Sequence, residues 1–366
     1  RLDSSHPVAT SHHQKIVVID DSLAFCGGID MTQNRWDTRA HRDHEPTRKS
    51  PSGQDHGPWH DSTSAFDGAA ARVIGDLARH RWKCATGEEL SPCPKGHDCW
   101  PEGLMPDFRD TRIAVMRTLP THDEDPGCHE IEAAYLDMIA SARHVIYAES
   151  QYFASRRIGA AIAQRLTEEN GPEVVIVNPR AAEGWLEPIV MDTARARLVE
   201  ALSRIDTHGR FRLYHPVTAA EAEIYVHSKI MIVDDTCLRV GSSNFNNRSM
   251  RVDTECDVVL ADGNAAERDR ITALRNDLVA EHLGVTPDVV ATHLRRTGSL
   301  IQTIEALRGP GRSLVPYVLP DMSDIECWLA DNEIFDPNGL DLLEPLNKRG
   351  LFKGWGKLRR KLRKRP

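Results

Sequence analysis

Apolar and polar residues alternate along this chain in two registers, and the switches between them mark its elements. Period-two, β-branched runs predict hairpins within 11–31 and 225–242, and further strands at 111–118, 144–148, 174–177, 211–214 and 256–260. Helical spacing takes over between them. Residues 67–82, with Ala69, Ala70, Val73, Leu77 and Trp82 on one face, predict an amphipathic helix, as do 130–142, 159–169, 186–205 and 265–283. Strands alternating with helices predict an α/β layered fold. Two Pro- and Gly-rich stretches, 38–58 and 88–108, read as surface loops, and His41, His44 and His56 in the first as solvated loop histidines. From 284 to 344 the pattern gives short helices and Pro-rich connections without a chemical motif.

The two hairpins are copies of one another. His13, Lys15, Asp20, Gly27 and Asp30 recur as His227, Lys229, Asp234, Gly241 and Asn244 at one constant separation, 214 residues. Side chains two apart share a strand face, so each histidine points with its lysine. Asp20 and Asp234 fall on the opposite parity beside a tight turn and are expected to be structural. Two imidazoles and two ammonium groups converging on one cleft suit an oxyanion that changes covalent partner. The histidines would exchange bonds and protons, while Lys15, Lys229 and Asn244 hold oxygens. Gly27, Gly28, Gly241 and Ser242 are expected to admit that oxyanion. Glu149 and Gln151, two apart beyond the 144–148 strand, are expected to line the pocket. An acid at Asp30 is unfavourable beside an anion unless turned away or paired, and it is set aside as a ligand.

H-x-K-x4-D present twice, with downstream Gly-Gly or Gly-Ser, resembles the phospholipase D superfamily. Gly27-Gly28-Ile29-Asp30-Met31, Arg35-Trp36-Asp37, Pro58-Trp59-His60-Asp61, Glu149-Ser150-Gln151-Tyr152-Phe153 and Asn247-Arg248-Ser249-Met250 extend the likeness to its bacterial phospholipase D branch. The resemblance runs from about residue 11 to 261 and departs at Ser150, where asparagine is usual. It implies two similar α/β lobes, with mixed sheets flanked by helices and the active site at their interface. The expected divisions are a first lobe at 1–115, shortened at its start, a second at 116–285, a helical or irregular extension at 286–346 and a basic tail at 347–366. It also implies a phospholipase D that cuts head groups from phospholipids through a phosphohistidine, or transfers the phosphatidyl group to an alcohol. His13 would be the nucleophile and His227 the acid and base. Asp61 would support His13 and Glu255 would support His227. The chemistry asks for no metal or cofactor. The rival implications are a cardiolipin synthase-like transferase, a nuclease-like phosphodiesterase and a non-catalytic membrane-binding scaffold.

Charge changes the picture at one end. The net charge is −8, but residues 348–365 hold ten Lys or Arg and no acid, which leaves an acidic body. That body disfavours nucleic acid as a partner. Leu351, Trp355, Leu358 and Leu362 share one helical face of the tail, which suits an anionic membrane surface. No run of about 18 apolar residues occurs. With eight sparse cysteines, the chain is expected to be cytoplasmic and peripheral to the membrane. Cys93 and Cys99 leave open a local disulfide or a Cys/His metal site.

Overall fold

A computed structural model describes residues 3–320, apart from 4–5, 8–9, 95–98, 122–125, 183–187 and 262. The basic tail lies outside the described residues.

The first hairpin pairs β1 (Ile16–Ile19) with β2 (Leu23–Gly27). The chain then makes β3 (Trp59–His60), which leaves this sheet, and β4 (Thr63–Asp67), which returns to β2. Helix α1 (Gly68–Thr86) seats Ala71, Ile74 and Leu77 against Ala24 and Cys26, in one cluster with Cys256 and Val258 of a second, larger sheet. Apolar packing therefore docks the first hairpin onto the rest of the molecule.

The larger sheet has nine strands and is mixed. Its strands are β5 (Ala114–Leu119), β6 (Cys128–His129), β7 (Val145–Glu149), β8 (Glu173–Val177) and β9 (Phe211–Val217), followed by β11 (Ile230–Val233), β12 (Cys237–Gly241), β13 (Glu255–Ala261) and β14 (Ser313–Pro316). They lie in the order β14-β9-β8-β7-β11-β12-β13-β5-β6, with β7, β8 and β9 mutually parallel. The short β10 (Tyr225–Val226) stays outside and pairs in parallel with β3. The second hairpin, β11 and β12, thus occupies the middle of the sheet.

Both faces of that middle are covered, which explains the continuous apolar runs. In β7, Ile146 and Ala148 face α2 (Glu130–Ser141), α3 (Arg156–Thr167) and α4 (Thr193–Ile205), packing among Ile131, Ile158 and Val199. After a single short turn of helix at α5 (Asn247–Arg251), helix α6 (Ala265–Leu283) covers the other face. There Val145 and Tyr147 meet Ile271 and Val279. A capping box between Asn264 and Glu267 starts α6, and Gly284 at φ 65° ends it. The motif-free stretch that follows supplies α7 (Pro287–Thr297), α8 (Leu300–Leu307) and β14, whose Val290, Leu300 and Ile304 complete this second layer. Among the described residues no helix is long and apolar enough to cross a membrane.

The loop expectation for 38–58 fails at His41, which is 3% exposed. Its Nδ1 lies 2.9 Å from Asp37 and its Nε2 3.1 Å from Glu281 of α6. Asp37 also takes the Arg48 guanidinium and the Trp59 N–H, so one buried carboxylate draws the loop inward. Cys93 and Cys99 are both free thiols, which removes the disulfide between them.

The two motif aspartates share a left-handed backbone, φ 49° at Asp20 and 53° at Asp234, in the turns that close their hairpins. Their side chains differ. Asp234 accepts the backbone N–H groups of Arg143, His144 and Val145 at 2.8–2.9 Å, fixing the entry to β7. Asp20 is exposed, and its side chain bonds to none of the described residues. The structural role therefore belongs to Asp234, with Asp21 serving the first hairpin through Arg79 at 2.8 Å. Asp234→Asn turns an NH2 group onto backbone donors and is expected to cost about 2 kcal/mol. Asp20→Asn should cost under about 0.5 kcal/mol. Urea unfolding midpoints at constant slope check both.

Candidate active site

Neither histidine lies within a regular strand. His13 precedes β1, and its backbone N–H bonds Thr254 O at 3.0 Å while Thr254 N–H bonds Ser11 O at 3.0 Å. His227 follows β10, and its N–H bonds His60 O at 2.8 Å. Each copy is thereby laid against the carboxylate-bearing segment of the other.

That backbone pairing decides the imidazole partners, and it reverses the expectation. His13 Nδ1 lies 2.8 Å from Glu255, and His227 Nδ1 lies 2.8 Å from Asp61. The near-in-sequence assignments, Asp61 to His13 and Glu255 to His227, are corrected. Position 255 follows directly on the residue paired with the His13 segment, and position 61 directly on the residue paired with His227. In both pairs the carboxylate fixes the tautomer, so Nε2 is the free nitrogen of each ring. Glu255 is fully buried and also receives the Ser242 and Ser249 hydroxyls at 2.5 and 2.6 Å. Burial pushes its carboxyl up, but the His13 charge and hydrogen bond outweigh this and hold it low. Asp61 is likewise held low against burial by its hydrogen bond from His227.

The lysines reach back to the histidines they follow. Lys15 Nζ donates to His13 O at 2.9 Å, and Lys229 Nζ donates to His227 O. Lys229 is fully buried, and burial pushes its ammonium down to about 7. Burial, reinforced by the Lys229 charge, pushes His227 down to about 4 despite Asp61. Burial disfavours the charged form of both groups, and an anion entering the site would raise both.

Asp30, set aside in the sequence, lies inside the site. Its carboxylate is 3.2 Å from Lys15 Nζ and 3.9 Å from His227 Nε2, linking the first copy to the second. It is paired, which meets the condition under which an acid is tolerated there. Asn244 keeps its Oδ1 on Ser150 Oγ at 3.4 Å and on Gln151 N at 3.3 Å, leaving its NH2 group as a donor. Trp59 stacks on Tyr225 at 4.8 Å and lies 5.1 Å from the His227 ring, walling that side.

The glycines serve a different purpose from the one expected. A Cβ on Gly28 would fall 2.2 Å from Asp61 Oδ1, and one on Gly241 would fall 2.0 Å from Asp257 Oδ1. One on Gly27 would fall 2.4 Å from Thr63 Cα. They make room for the protein's own carboxylates and backbone, while Ser242 is spent on Glu255. Glu149 is corrected too. It is fully buried, and its oxygens take His60, Ser228, Tyr147 and His282 at 2.5–3.0 Å, so it does not line the cleft. Gln151 is buried and donates to Tyr225 Oη at 2.9 Å and to Tyr152 Oη at 3.1 Å.

His60, Glu149 and His282, and next to them His41, His60 and Glu281, bring potential metal-ligand atoms within 4.8 Å of one another. The carboxylates there already receive protein donors, while His282 Nδ1 is buried without a partner among the described residues. His60, Glu281 and His282 were not among the residues expected at the site. Of these only His60 carried a signal, inside the Trp59-His60-Asp61 block.

Residues 135–270 match the family described as cardiolipin synthase, PLD-like domain. Phospholipase D A of Dictyostelium discoideum is 26% identical over 370 residues, covering 77% of this chain and 28% of its own. Phospholipase D alpha 1 of Cynara cardunculus is 26% identical over 401 residues, covering 76% of this chain and 49% of its own. The chain thus spans half the length of these relatives or less. Among solved structures, phosphatidylserine synthase of Haemophilus influenzae Rd KW20 aligns at TM-score 0.45 and 13% identity, over 81% of this chain and 70% of that one.

Proposed function

We propose that this chain, whose residues 135–270 match a PLD-like domain, is a phosphodiesterase of the phospholipase D superfamily acting on phospholipids at the head-group side of phosphorus. The observation that carries this reading is the crossed pair of imidazole–carboxylate contacts, His13–Glu255 and His227–Asp61, joined through Lys15 and Asp30. Two rings with their Nε2 atoms free, flanked by ammonium groups, suit in-line displacement at an anionic phosphorus.

In this reading His13 Nε2 attacks phosphorus as the bond to the head-group oxygen breaks. His227 gives that oxygen a proton, having gained it once the phosphodiester charge raises its affinity. Water then attacks the phosphohistidine, His227 takes its proton, and the P–N bond breaks to leave phosphatidic acid. Lys15, Lys229 and the Asn244 NH2 group hold the non-bridging oxygens. An alcohol in place of water gives head-group exchange by the same steps.

Incubation with phosphatidylcholine and ethanol tests the proposal. Free choline with phosphatidic acid and phosphatidylethanol is the expected result. Cardiolipin made from phosphatidylglycerol would make the protein a phosphatidyl transferase instead. Nucleotide release from DNA would make it a nuclease, and no turnover of any of these would leave a scaffold.

A further inference from the structure

The paired halves differ in charge where Asp30 faces Asn244 in the alignment of the two copies. The difference falls on one side of the site. Asp30 Oδ2 lies 3.9 Å from His227 Nε2, the nitrogen left free by Asp61, while Oδ1 lies 3.2 Å from Lys15 Nζ. Asn244, neutral, brings no such charge to the other copy. We propose that Asp30 is the charge-selecting residue of the head-group side, favouring head groups with a cationic amine over neutral or anionic ones.

The inference rests on the phospholipase reading, and its geometry follows from it. If His227 Nε2 protonates the leaving oxygen, that oxygen must come within hydrogen-bond reach of this nitrogen. The rest of the head group then extends from a point beside the Asp30 carboxylate. The Asp30 side chain is 33% exposed, so its charge is open to a ligand. A bound phosphate draws Lys15 to its own oxygens and weakens that ion pair. Besides His227 once it is protonated, its Nε2 3.9 Å away, the cation near Asp30 among the described residues is Arg35, whose Nε is 3.8 Å away, beyond a hydrogen bond, and whose guanidinium lies over the Trp59 ring at 4.1 Å. An ammonium on the head group can supply what Lys15 gives up. A glycerol head group cannot, and an anionic one is repelled.

The bland alternative is that Asp30 only ties its loop to Lys15 and Arg35. Removing it would then impair every substrate alike. The two are separated by the ratio of kcat/KM for phosphatidylcholine over phosphatidylglycerol, measured by head-group release from mixed micelles. The unmodified chain is expected to favour phosphatidylcholine. Asp30→Asn should shrink that preference by about tenfold, the effect of one charge contact in a partly exposed site. Asp30→Glu should retain it. An unmodified chain that prefers phosphatidylglycerol overturns the inference whatever the variants do. So does an unchanged ratio in Asp30→Asn, even if both rates fall. Turnover of neither lipid by the unmodified chain removes the phospholipase reading itself, a result distinct from a fixed ratio.

Discussion

His13→Ala and His227→Ala each lower phospholipid turnover by about 10⁴-fold or more, but they stop the reaction at different points. Without His13 no phosphorus–nitrogen bond forms. Without His227 the first displacement lacks its acid, and the second lacks its base. A substrate whose leaving group needs no proton, such as a nitrophenyl phosphodiester, bypasses the first deficit. His227→Ala should then accumulate a labelled phosphoryl adduct on His13, while His13→Ala accumulates none. The geometry makes the two rings unequal in a way that suits this division. The His13 side chain is 27% exposed and that of His227 5%, with Trp59 and Tyr225 walling the latter from water. Peptide mapping of the adduct decides the order, and a label on His227 in the His13 variant would reverse it.

Much of this architecture was legible. The recurrence of His, Lys, Asp and Gly at one spacing identified both hairpins, because polar residues inside apolar strands are costly and do not repeat idly. The apolar run at 144–148 marked β7, since both faces of that strand are covered. What the sequence concealed was which copy meets which. Glu255 lies 28 residues after His227, and nearness in sequence pointed to a local pair. The actual partner was chosen by backbone bonds from Thr254 to the segment around His13, more than two hundred residues away in the chain. Parity also failed at Glu149, because β7 ends there and Glu149 is sealed between β8 and β11. The stretch after 284 has apolar spacing but no chemistry, so its place as the second covering layer came only from packing. His41 looked like a loop histidine because its partners, Asp37 and Glu281, are each unremarkable alone.

Glu149→Ala is expected to cost about 3–5 kcal/mol of folding stability, the price of stranding buried charge. Four donors converge on this fully buried carboxylate: Tyr147 Oη at 2.6 Å, Ser228 Oγ at 2.5 Å, His60 Nε2 at 2.8 Å and His282 Nε2 at 3.0 Å. Burial works to lower His60, but the Glu149 charge outweighs it and raises the imidazole to about 10. Burial likewise pushes Glu149 up, and the His60 charge outweighs that, holding it well below the usual carboxylate range. Burial and the His60 charge push His282 down, against the Glu149 hydrogen bond. The pH dependence follows from the two signs. The raised His60 stabilises fully below its unfolded value, about 6.5, and loses that contribution as pH rises through about 10. The depressed Glu149 stabilises fully above its unfolded value, about 4.5, and loses its contribution as pH falls toward the native one. Both are complete between about pH 4.5 and 6.5. The stability gap between the unmodified chain and Glu149→Gln, which keeps the shape and removes the charge, should be widest in that window and narrow towards pH 10. Melting temperatures across pH 4–10 test this, and a gap constant over that range would mean that shape rather than charge holds the cluster. The network also touches the chemistry. Ser228 lies between His227 and Lys229, and the His60 carbonyl holds the His227 backbone. Loosening Glu149 therefore frees the His227 segment from both sides, and turnover should fall before the fold is lost.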